Sequence, residues 1–449
     1  MTYYKRHIDE VLAQWKDAPR RKPLLIRGAR QTGKSTAVRE LGKKFRYFVE
    51  INLEKQPDLQ QLFSENIDVK KTCETLSGTL STPIIPEETL LFIDEIQVCK
   101  EAIMSLRYFK EDYPELHVIA AGSLLEFALE ELPSFGVGRI RSLYMYPFSF
   151  DEFLMAQGLE MMVEYKKNAS SEEPLSEKAH KDFVDQLRSF YLVGGMPAAV
   201  TEWIETHSYI EVSNVHHDII DTYQDDFSKY KKRVSPVLLR QVLRSAALQA
   251  GKKFKYSVVE KDIRSLLVKD ALRLLTLAGL ITPVKHSDGT GIPIGAEEND
   301  NYVKYLFFDL GVMQTMLGTP PSDILLTPAV DFVNKGGTSE MFAGLEMQKY
   351  QACSKKAELH YWQNMSKNSS AEVDYITVQN GRILPVEVKA STQGSMQSLW
   401  IFMRKRRLHS AIRTSLENFG QLDYYDPEDN FEQRHVDIIP LYALSNLGV

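Results

Sequence analysis

Gly28-Ala29-Arg30-Gln31-Thr32-Gly33-Lys34-Ser35 reads G-x-x-x-x-G-K-S, a loop whose residue types suit the binding of a polyphosphate. Gly28 and Gly33 permit backbone torsions that a side chain would forbid, so successive N–H groups can turn inward on an anion. Lys34 brings a point charge for the β- and γ-phosphates, and Ser35 a hydroxyl for an accompanying Mg²⁺. Ala29, Arg30, Gln31, Thr32 and Thr36 complete the segment expected to wrap the nucleotide. Its complement lies downstream, where the apolar run Leu90-Leu91-Phe92-Ile93 ends in Asp94-Glu95. Asp94 is placed to support Mg²⁺ through water, and Glu95 to orient and deprotonate an attacking water. A third run, His117 to Ser123, ends in a serine that either faces the γ-phosphate between the other two motifs or is a plain loop residue.

A second constellation stands near the C-terminus. Asp374 closes one strand-like run, and Glu387-Val388-Lys389 lies in the next. An aspartate followed by Glu-x-Lys is an arrangement by which nucleases hold a divalent metal and steer water at a phosphodiester. Glu340, on a helical stretch, could complete the metal shell. The competing reading is a half-exposed strand that alternates apolar and charged residues as any such strand does.

These residues need particular elements to hold them. Pro23 to Arg27 reads as a short buried strand, and Ser35 to Leu41 as the first turns of a helix whose N-terminus meets the phosphates. Leu90 to Ile93 has the continuous apolar character of a parallel strand buried on both faces. Tyr165 to Asp182 is polar and reads as a surface loop, while Gly194-Gly195-Met196-Pro197 demands a sharp turn between helices. Pro236 to Ala250 is apolar at helical spacing, Ser257-Val258-Val259-Glu260 is a capping box opening a second helix, and Ala271, Leu274, Leu275 and Leu277 mark a third. Leu280–Val284 and Val303–Phe308 follow as strands joined by the polar loop 287–301, so three helices and a β-wing form a winged helix. Beyond it, runs at 359–362, 371–377 and 383–389 read as three consecutive strands of a smaller α/β unit. The fold class is therefore α/β and multidomain. A P-loop NTPase domain with a parallel sheet flanked by helices spans 1–160, and a helical lid or linker 161–229. A winged helix follows at 230–325, and a small α/β domain at 326–449.

The formal charge of −6 over 449 residues conceals an asymmetry. Residues 229–285 hold fourteen Lys or Arg against three acids, a balance of +11 that leaves −17 for the remainder. Such a patch is the electrostatic footprint of a DNA-binding module, with Lys269 and Arg273 on the outer side of the recognition helix. Its bland alternative is a wet face on a packing module. Three scattered cysteines imply neither a disulfide framework nor a zinc site. With no apolar signal core and no bilayer-length run, the expectation is a cytoplasmic protein without membrane attachment.

Taken together, the Gly28–Ser35 loop, Leu91–Gln97, Ala121-Gly122-Ser123, Gly138-Arg139 and Tyr146–Phe153 resemble the AAA+-type ATPases related to the archaeal ATPase group. Gly194–Pro197, Tyr305–Gly311, Glu372–Asp374 and Pro385–Lys389 resemble that family's usual fused C-terminal region, a domain of unknown function similar to restriction endonucleases. The resemblance implies ATP and Mg²⁺ as ligands, ATP hydrolysis, and an endonuclease-like C-terminal fold. It also makes Arg139 a candidate arginine for the γ-phosphate, in cis or from a neighbouring copy of a homo-oligomer, against the alternative of a surface ion pair. The leading expectation is an ATPase that couples nucleotide state to the basic winged helix and the endonuclease-like region, acting on DNA. Its rival is a slow ATP-dependent switch that holds a protein partner and cuts nothing.

Overall fold

The computed structural model describes residues 2–63, 68–132, 138–230, 233–260, 263–325, 337–366, 369–389 and 396–447. The chain divides into two compact units. The first comprises Met1–Pro147 with Leu277–Gly279 and Ala352–Lys356; the second holds the rest.

The first unit alternates strands and helices: α1 His7–Lys16, β1 Leu24–Arg27, α2 Lys34–Gly42, β2 Tyr47–Asn52, α3 Val69–Leu80, β3 Thr89–Asp94, α4 Lys100–Asp112, β4 His117–Ala121, α5 Leu125–Glu130 and β5 Arg141–Tyr144. The strands form one parallel sheet in the order β2-β3-β4-β1-β5. All six residues of β3 are buried. Leu91 and Ile93 join Leu25, Val118 and Ala120 in one core, while Leu90 and Phe92 join Leu24, Ile26, Ile119 and Ala121 in another on the opposite face. Burial on both faces explains the unbroken apolar runs, and each such large side chain contributes roughly 1.5–3 kcal/mol. One strand, β4, separates the strand that feeds the glycine loop from the strand that ends in Asp94.

His117 opens β4 inside this core. Its ring meets Trp15 and Phe45 edge-on at centroid distances of 5.5 and 4.8 Å, and Nε2 lies 3.0 Å from the Lys16 carbonyl oxygen. Nδ1 is buried without a hydrogen-bond partner. Burial therefore holds the imidazole below its ordinary pKa, as the neutral ring. The folded state binds fewer protons there than the unfolded chain, so stability is complete above about pH 6.5 and declines as pH falls below it. The thermal midpoint should drop between pH 7.5 and 5.5 by less in His117→Gln than in the parent; equal drops would remove His117 as the cause.

The second unit begins with α6 Phe150–Ala156, α7 Glu160–Lys167, α8 Glu177–Val193, α9 Pro197–Thr206 and α10 Tyr209–Asp226. Helix covers much of the segment expected to be a polar loop from Tyr165 to Asp182, leaving residues 168–176 between α7 and α8. The reason is local: the Ser176 hydroxyl accepts from the Ala179 N–H and caps α8, which buries Phe183, Val184 and Leu187. Gly194 and Gly195 do turn the chain between α8 and α9. Gly194 has φ +69°, and Asp309 accepts the Gly195 N–H at 2.6 Å.

Helices α11 Pro236–Leu248 and α12 Ser265–Leu277 follow, then β6 Ile281–Ser287 and β7 Glu298–Phe307. The helix expected to start at Ser257 is instead a single 3₁₀ turn, Tyr256–Val258. The β-branched pair Val258-Val259 is a poor helix former, and Val258 is exposed, so no apolar burial rescues it. Strands β6 and β7 pair antiparallel as a wing would, but β6 also pairs in parallel with β8 Leu359–Gln363. Both therefore belong to an eight-stranded mixed sheet with β9 Glu372–Gln379, β10 Arg382–Val388, β11 Ser410–Ser415, β12 Gly420–Asp426 and β13 Glu432–Pro440, in the order β12-β13-β11-β10-β9-β8-β6-β7. Helices α13 Leu310–Leu317, α14 Ser322–Leu325, α15 Thr338–Tyr350 and α16 Gln397–Arg406 complete the described elements. Among the described residues, no helix is long and apolar enough to cross a membrane.

Candidate nucleotide site and a second acidic cluster

The glycine loop leaves β1 at the C-terminal edge of the parallel sheet and runs into α2. Gly28 holds φ +145°, and a Cβ there would come within 2.1 Å of the Met145 carbonyl oxygen. Gly33, at φ +97°, is the left-handed N-cap of α2. Thr32 donates to the Ala29 carbonyl at 3.0 Å, closing the loop on itself. Lys34 is buried, and its ammonium donates to the Gly28 and Ala29 carbonyls at 3.0 and 2.6 Å. Burial pulls its pKa down to about 8, against the attraction of Glu95 and Asp94. Ala29 is buried, Arg30 and Ser35 are half-buried, and Gln31 and Thr36 are exposed. The buried Arg6, just ahead of α1, donates to the Thr32 carbonyl at 3.1 Å and to the Tyr146 carbonyl at 2.8 Å, bracing the loop. Nothing in the local sequence pattern marks that arginine, since its partners are 26 and 140 residues away.

The loop and the acid strand meet. The Ser35 hydroxyl lies 3.0 and 3.1 Å from the two carboxylate oxygens of Asp94, and Asn52, paired with it across β2 and β3, donates to the same group at 3.3 Å. Burial first, then the adjacent Glu95, raises the Asp94 pKa above the ordinary carboxylate range. Glu95 itself takes φ +51°, which swings its side chain away from the strand direction. Its carboxylate accepts from the Gln97 amide at 2.7 Å and lies 3.4 Å from the Ser123 hydroxyl beyond β4. Gly122 makes room for Gln97, whose Oε1 would lie 2.1 Å from a Cβ at that position. The structure thus assembles Lys34, Ser35, Asp94, Glu95 and Ser123 at one edge of the sheet.

Arg139 is not among them. It precedes β5, which runs parallel to β1 with Arg141 level with Leu24, so it lies at the opposite edge from the glycine loop. There it pairs with Glu111 at 2.9 Å, both side chains largely exposed. Of the alternatives the sequence leaves open for Arg139, this is the surface ion pair, and within one chain it stands away from the glycine loop.

The donor set suits the ligands that the sequence implies. A hydroxyl beside a carboxylate offers the hard oxygens that Mg²⁺ takes, and the glycine cradle that a Cβ would fill offers N–H groups at a helix N-terminus.

In the second unit, Glu340 of α15, Asp374 of β9 and Glu387 with Lys389 at the end of β10 do converge. Carboxylate oxygens of Glu340, Glu372 and Asp374 all lie within 4.8 Å of one another. Asp374 accepts the Val388 N–H at 2.8 Å, and Glu387 pairs with Lys389 at 2.6 Å. One Glu387 oxygen, Oε2, is buried without a hydrogen-bond partner. Two members were not anticipated. Glu372 shares a face with Asp374 by the two-residue period, which could have flagged it. Lys304, in the middle of β7, is 2% exposed and forms ion pairs with Glu340, at 2.6 Å, and with Glu372. Burial pushes Glu340 and Glu387 up to about 8 and raises Asp374 as well. The surrounding carboxylates hold Lys304 firmly charged despite its own burial.

No curated protein matches the chain. Among solved structures, the Walker-type ATPase of Pyrococcus abyssi aligns at 16% identity over 70% of this chain and 96% of that one, with a TM-score of 0.44. The Orc1 protein of Aeropyrum pernix in complex with DNA aligns at 14% identity over 70% and 91%, TM-score 0.29. The RuvB Holliday junction branch migration motor of Thermotoga maritima aligns at 13% over 62% and 89%, TM-score 0.28. Likenesses this distant carry no functional weight. Residues 184–323 match the model of one domain of unknown function (DUF8612), and residues 335–444 that of another (DUF4143). Residues 20–154 match the AAA domain, and with its parallel sheet and glycine loop the first unit carries a P-loop ATPase domain of that type.

Proposed function

We propose that this protein binds ATP with Mg²⁺ and hydrolyses it in the first unit. The observation that carries this reading is the meeting of Ser35 with Asp94 at 3.0 and 3.1 Å beside the buried Lys34. In this reading Lys34 exchanges the Gly28 and Ala29 carbonyls for the β- and γ-phosphates. Ser35 and Asp94 hold the metal, which supplies charge neutralisation to the phosphates when bound. Glu95 orients a water and takes its proton, with Gln97 and Ser123 fixing the carboxylate. The site residues of the loop, Gly28 to Thr36, enclose the phosphates; ATP is favoured over GTP by the family resemblance. Steady-state phosphate release with Mg²⁺ tests the proposal. Turnover should be measurable in the parent and absent in Lys34→Ala, with nucleotide binding weakened at least tenfold; turnover surviving that change would place hydrolysis elsewhere.

A slow switch is the second reading, and the Gln97–Glu95 hydrogen bond favours it. Gln97 and Ser123 both contact one oxygen of Glu95, Oε2, and donors on that oxygen make the carboxylate a weaker base even as they orient it. Tight ATP binding with no turnover above background would select the switch.

The further organisation is proposed with the boundaries 1–160, 161–229, 230–325 and 326–449, the last two segments sharing one mixed sheet, in a cytoplasmic protein. Helices α11 and α12 followed by β6 and β7 support the winged-helix description of the third segment, with DNA as the candidate partner of residues 229–285. Lys269 and Arg273 are exposed on α12; Lys231, Lys232 and Lys261 of that stretch lie outside the described residues. Metal-dependent cleavage at Glu340, Asp374, Glu387 and Lys389 is weakened by Lys304, whose ammonium already occupies an oxygen of Glu340 and of Glu372 and offsets one of the clustered charges. Plasmid nicking by the parent with Mg²⁺ or Mn²⁺, lost in both Asp374→Ala and Lys389→Ala, would restore the nuclease reading; nicking that survives both would assign it to a contaminant.

A further inference from the structure

Strand β10 runs from Arg382 to Glu387 over roughly 16 Å at about 3.3 Å per residue, so its start lies well away from the acidic cluster. At that start, the structure contains a cavity of about 880 Å³. Three pieces of chain line it: residues 289–292 of the β6–β7 connection, the β9–β10 turn, and the end of α16 leading into β11. Its walls hold Arg382, Arg406, Arg407 and His409, and no carboxylate.

The arginines of this cavity differ from those of the chain that are spent on acids. Arg27, Arg39, Arg404 and Arg434 are each matched with an acid. The side chains of Arg382 and Arg407 make no hydrogen bond or ion pair among the described residues, and both are exposed. Arg406 spends only its Nε, on the Asp288 carbonyl at 2.8 Å. The nearby Glu297 carboxylate feels Arg406 but is engaged by the Thr290 N–H at 3.1 Å and by its hydroxyl. His409 is taken by Glu432 at 3.3 Å. Arg382 and Arg407 thus stand at the cavity with their guanidinium groups unspent, in a chain whose net charge is −6.

Two left-handed backbone turns border the cavity. Asn380 and Gly381 turn the β9–β10 hairpin at φ +49° and +72°, and no atom lies within 4 Å of where a Gly381 Cβ would stand. Arg407 is the left-handed C-cap of α16, so its side chain departs from the helix direction. The wall also carries the apolar Leu384, Leu408 and exposed Ile292, beside the polar Thr290, Gln379, Asn380 and Ser410. Guanidinium forks match phosphate oxygens in geometry and charge, and the volume falls within the range of small-ligand sites.

We propose that this cavity binds a nucleotide unit, with its phosphate on Arg382, Arg406 and Arg407 and its base or sugar against Ile292, Leu384 and Leu408. The unit belongs either to a free nucleotide or to a single strand, and the site is separate from the basic stretch 229–285. Fluorescence anisotropy of a labelled ten-residue oligothymidylate at low salt tests it on the full chain. The parent binds the probe. The double variant Arg382→Ala/Arg407→Ala, at two exposed positions and with an unchanged thermal midpoint, binds at least tenfold more weakly, and its logarithmic salt slope is shallower by about 1.4, for two phosphate contacts at about 0.7 each. Displacement of the probe by millimolar uridine monophosphate identifies a mononucleotide pocket; displacement by unlabelled oligonucleotide alone identifies a strand site. No binding by the parent, or equal binding by the double variant, overturns the proposal. So does a loss that follows Lys269→Ala/Arg273→Ala instead.

Discussion

Replacing Glu95 with Gln is expected to slow ATP turnover by about 10²–10⁴, the usual worth of a positioned base, while leaving nucleotide affinity within a few-fold of the parent. The substitution keeps the shape of the side chain, so the Gln97 and Ser123 contacts can persist around it. What it removes is the ability to accept a proton. Asp94, the residue that touches Ser35, is untouched, and the metal-binding pair therefore stays intact. The variant should consequently retain ATP through gel filtration while releasing almost no phosphate. Turnover equal to the parent would take Glu95 out of the mechanism. A fall in affinity matching the fall in rate would recast it as a binding residue.

The second large effect is expected at Lys304. Replacing it with Met removes a buried ammonium and strands Glu340, Glu372 and Asp374 around an apolar side chain. Breaking one side of a buried ion pair typically costs about 3–5 kcal/mol, because the partner is left uncompensated. Burial already raises Glu340, and without Lys304 to oppose it the carboxyl would hold its proton more firmly, which limits the loss. Denaturant unfolding, followed by Trp362 and Trp400 fluorescence in the second unit, measures the change. A loss under about 1 kcal/mol would mean that Lys304 is not the counter-ion of this cluster. Recovery of the lost stability on adding Mn²⁺ to Lys304→Met would mean that the vacated place accepts a divalent ion.

The nucleotide site was legible because its chemistry is local. Eight consecutive residues define the loop, and the strand ending in Asp94-Glu95 announces itself by an apolar run that only a doubly covered parallel strand needs. The residues missed in that site, Arg6, Asn52 and Gln97, act through contacts whose partners are distant in sequence or through a turn that no motif describes. For Arg139 the sequence left the choice open, because a Gly-Arg dipeptide does not say at which end of a strand it will lie, and the parallel register of β5 decides that. In the second unit the runs at 359–362, 371–377 and 383–389 correspond to the consecutive strands β8, β9 and β10, but β11 to β13 and the parallel β10–β11 pairing were not read. Helix boundaries shifted where one cap outweighed composition, as Ser176 did, or where two valines spoiled a capping box. Lys304 escaped notice because a single lysine between tyrosines looks like a solvent-facing position on an edge strand.

The parallel pairing of β6 with β8 has a consequence for how this polypeptide can be divided. A fragment beginning at residue 326 would carry six of the eight strands and would present β8 with a bare row of backbone N–H and carbonyl groups where β6 had been. Unpaired edges of that kind invite sticking between molecules. Such a piece should be recovered as aggregates, whereas one starting ahead of Ile281 keeps its sheet whole. The β6–β8 seam joins both flanks into one sheet, and neither flank is a detachable accessory.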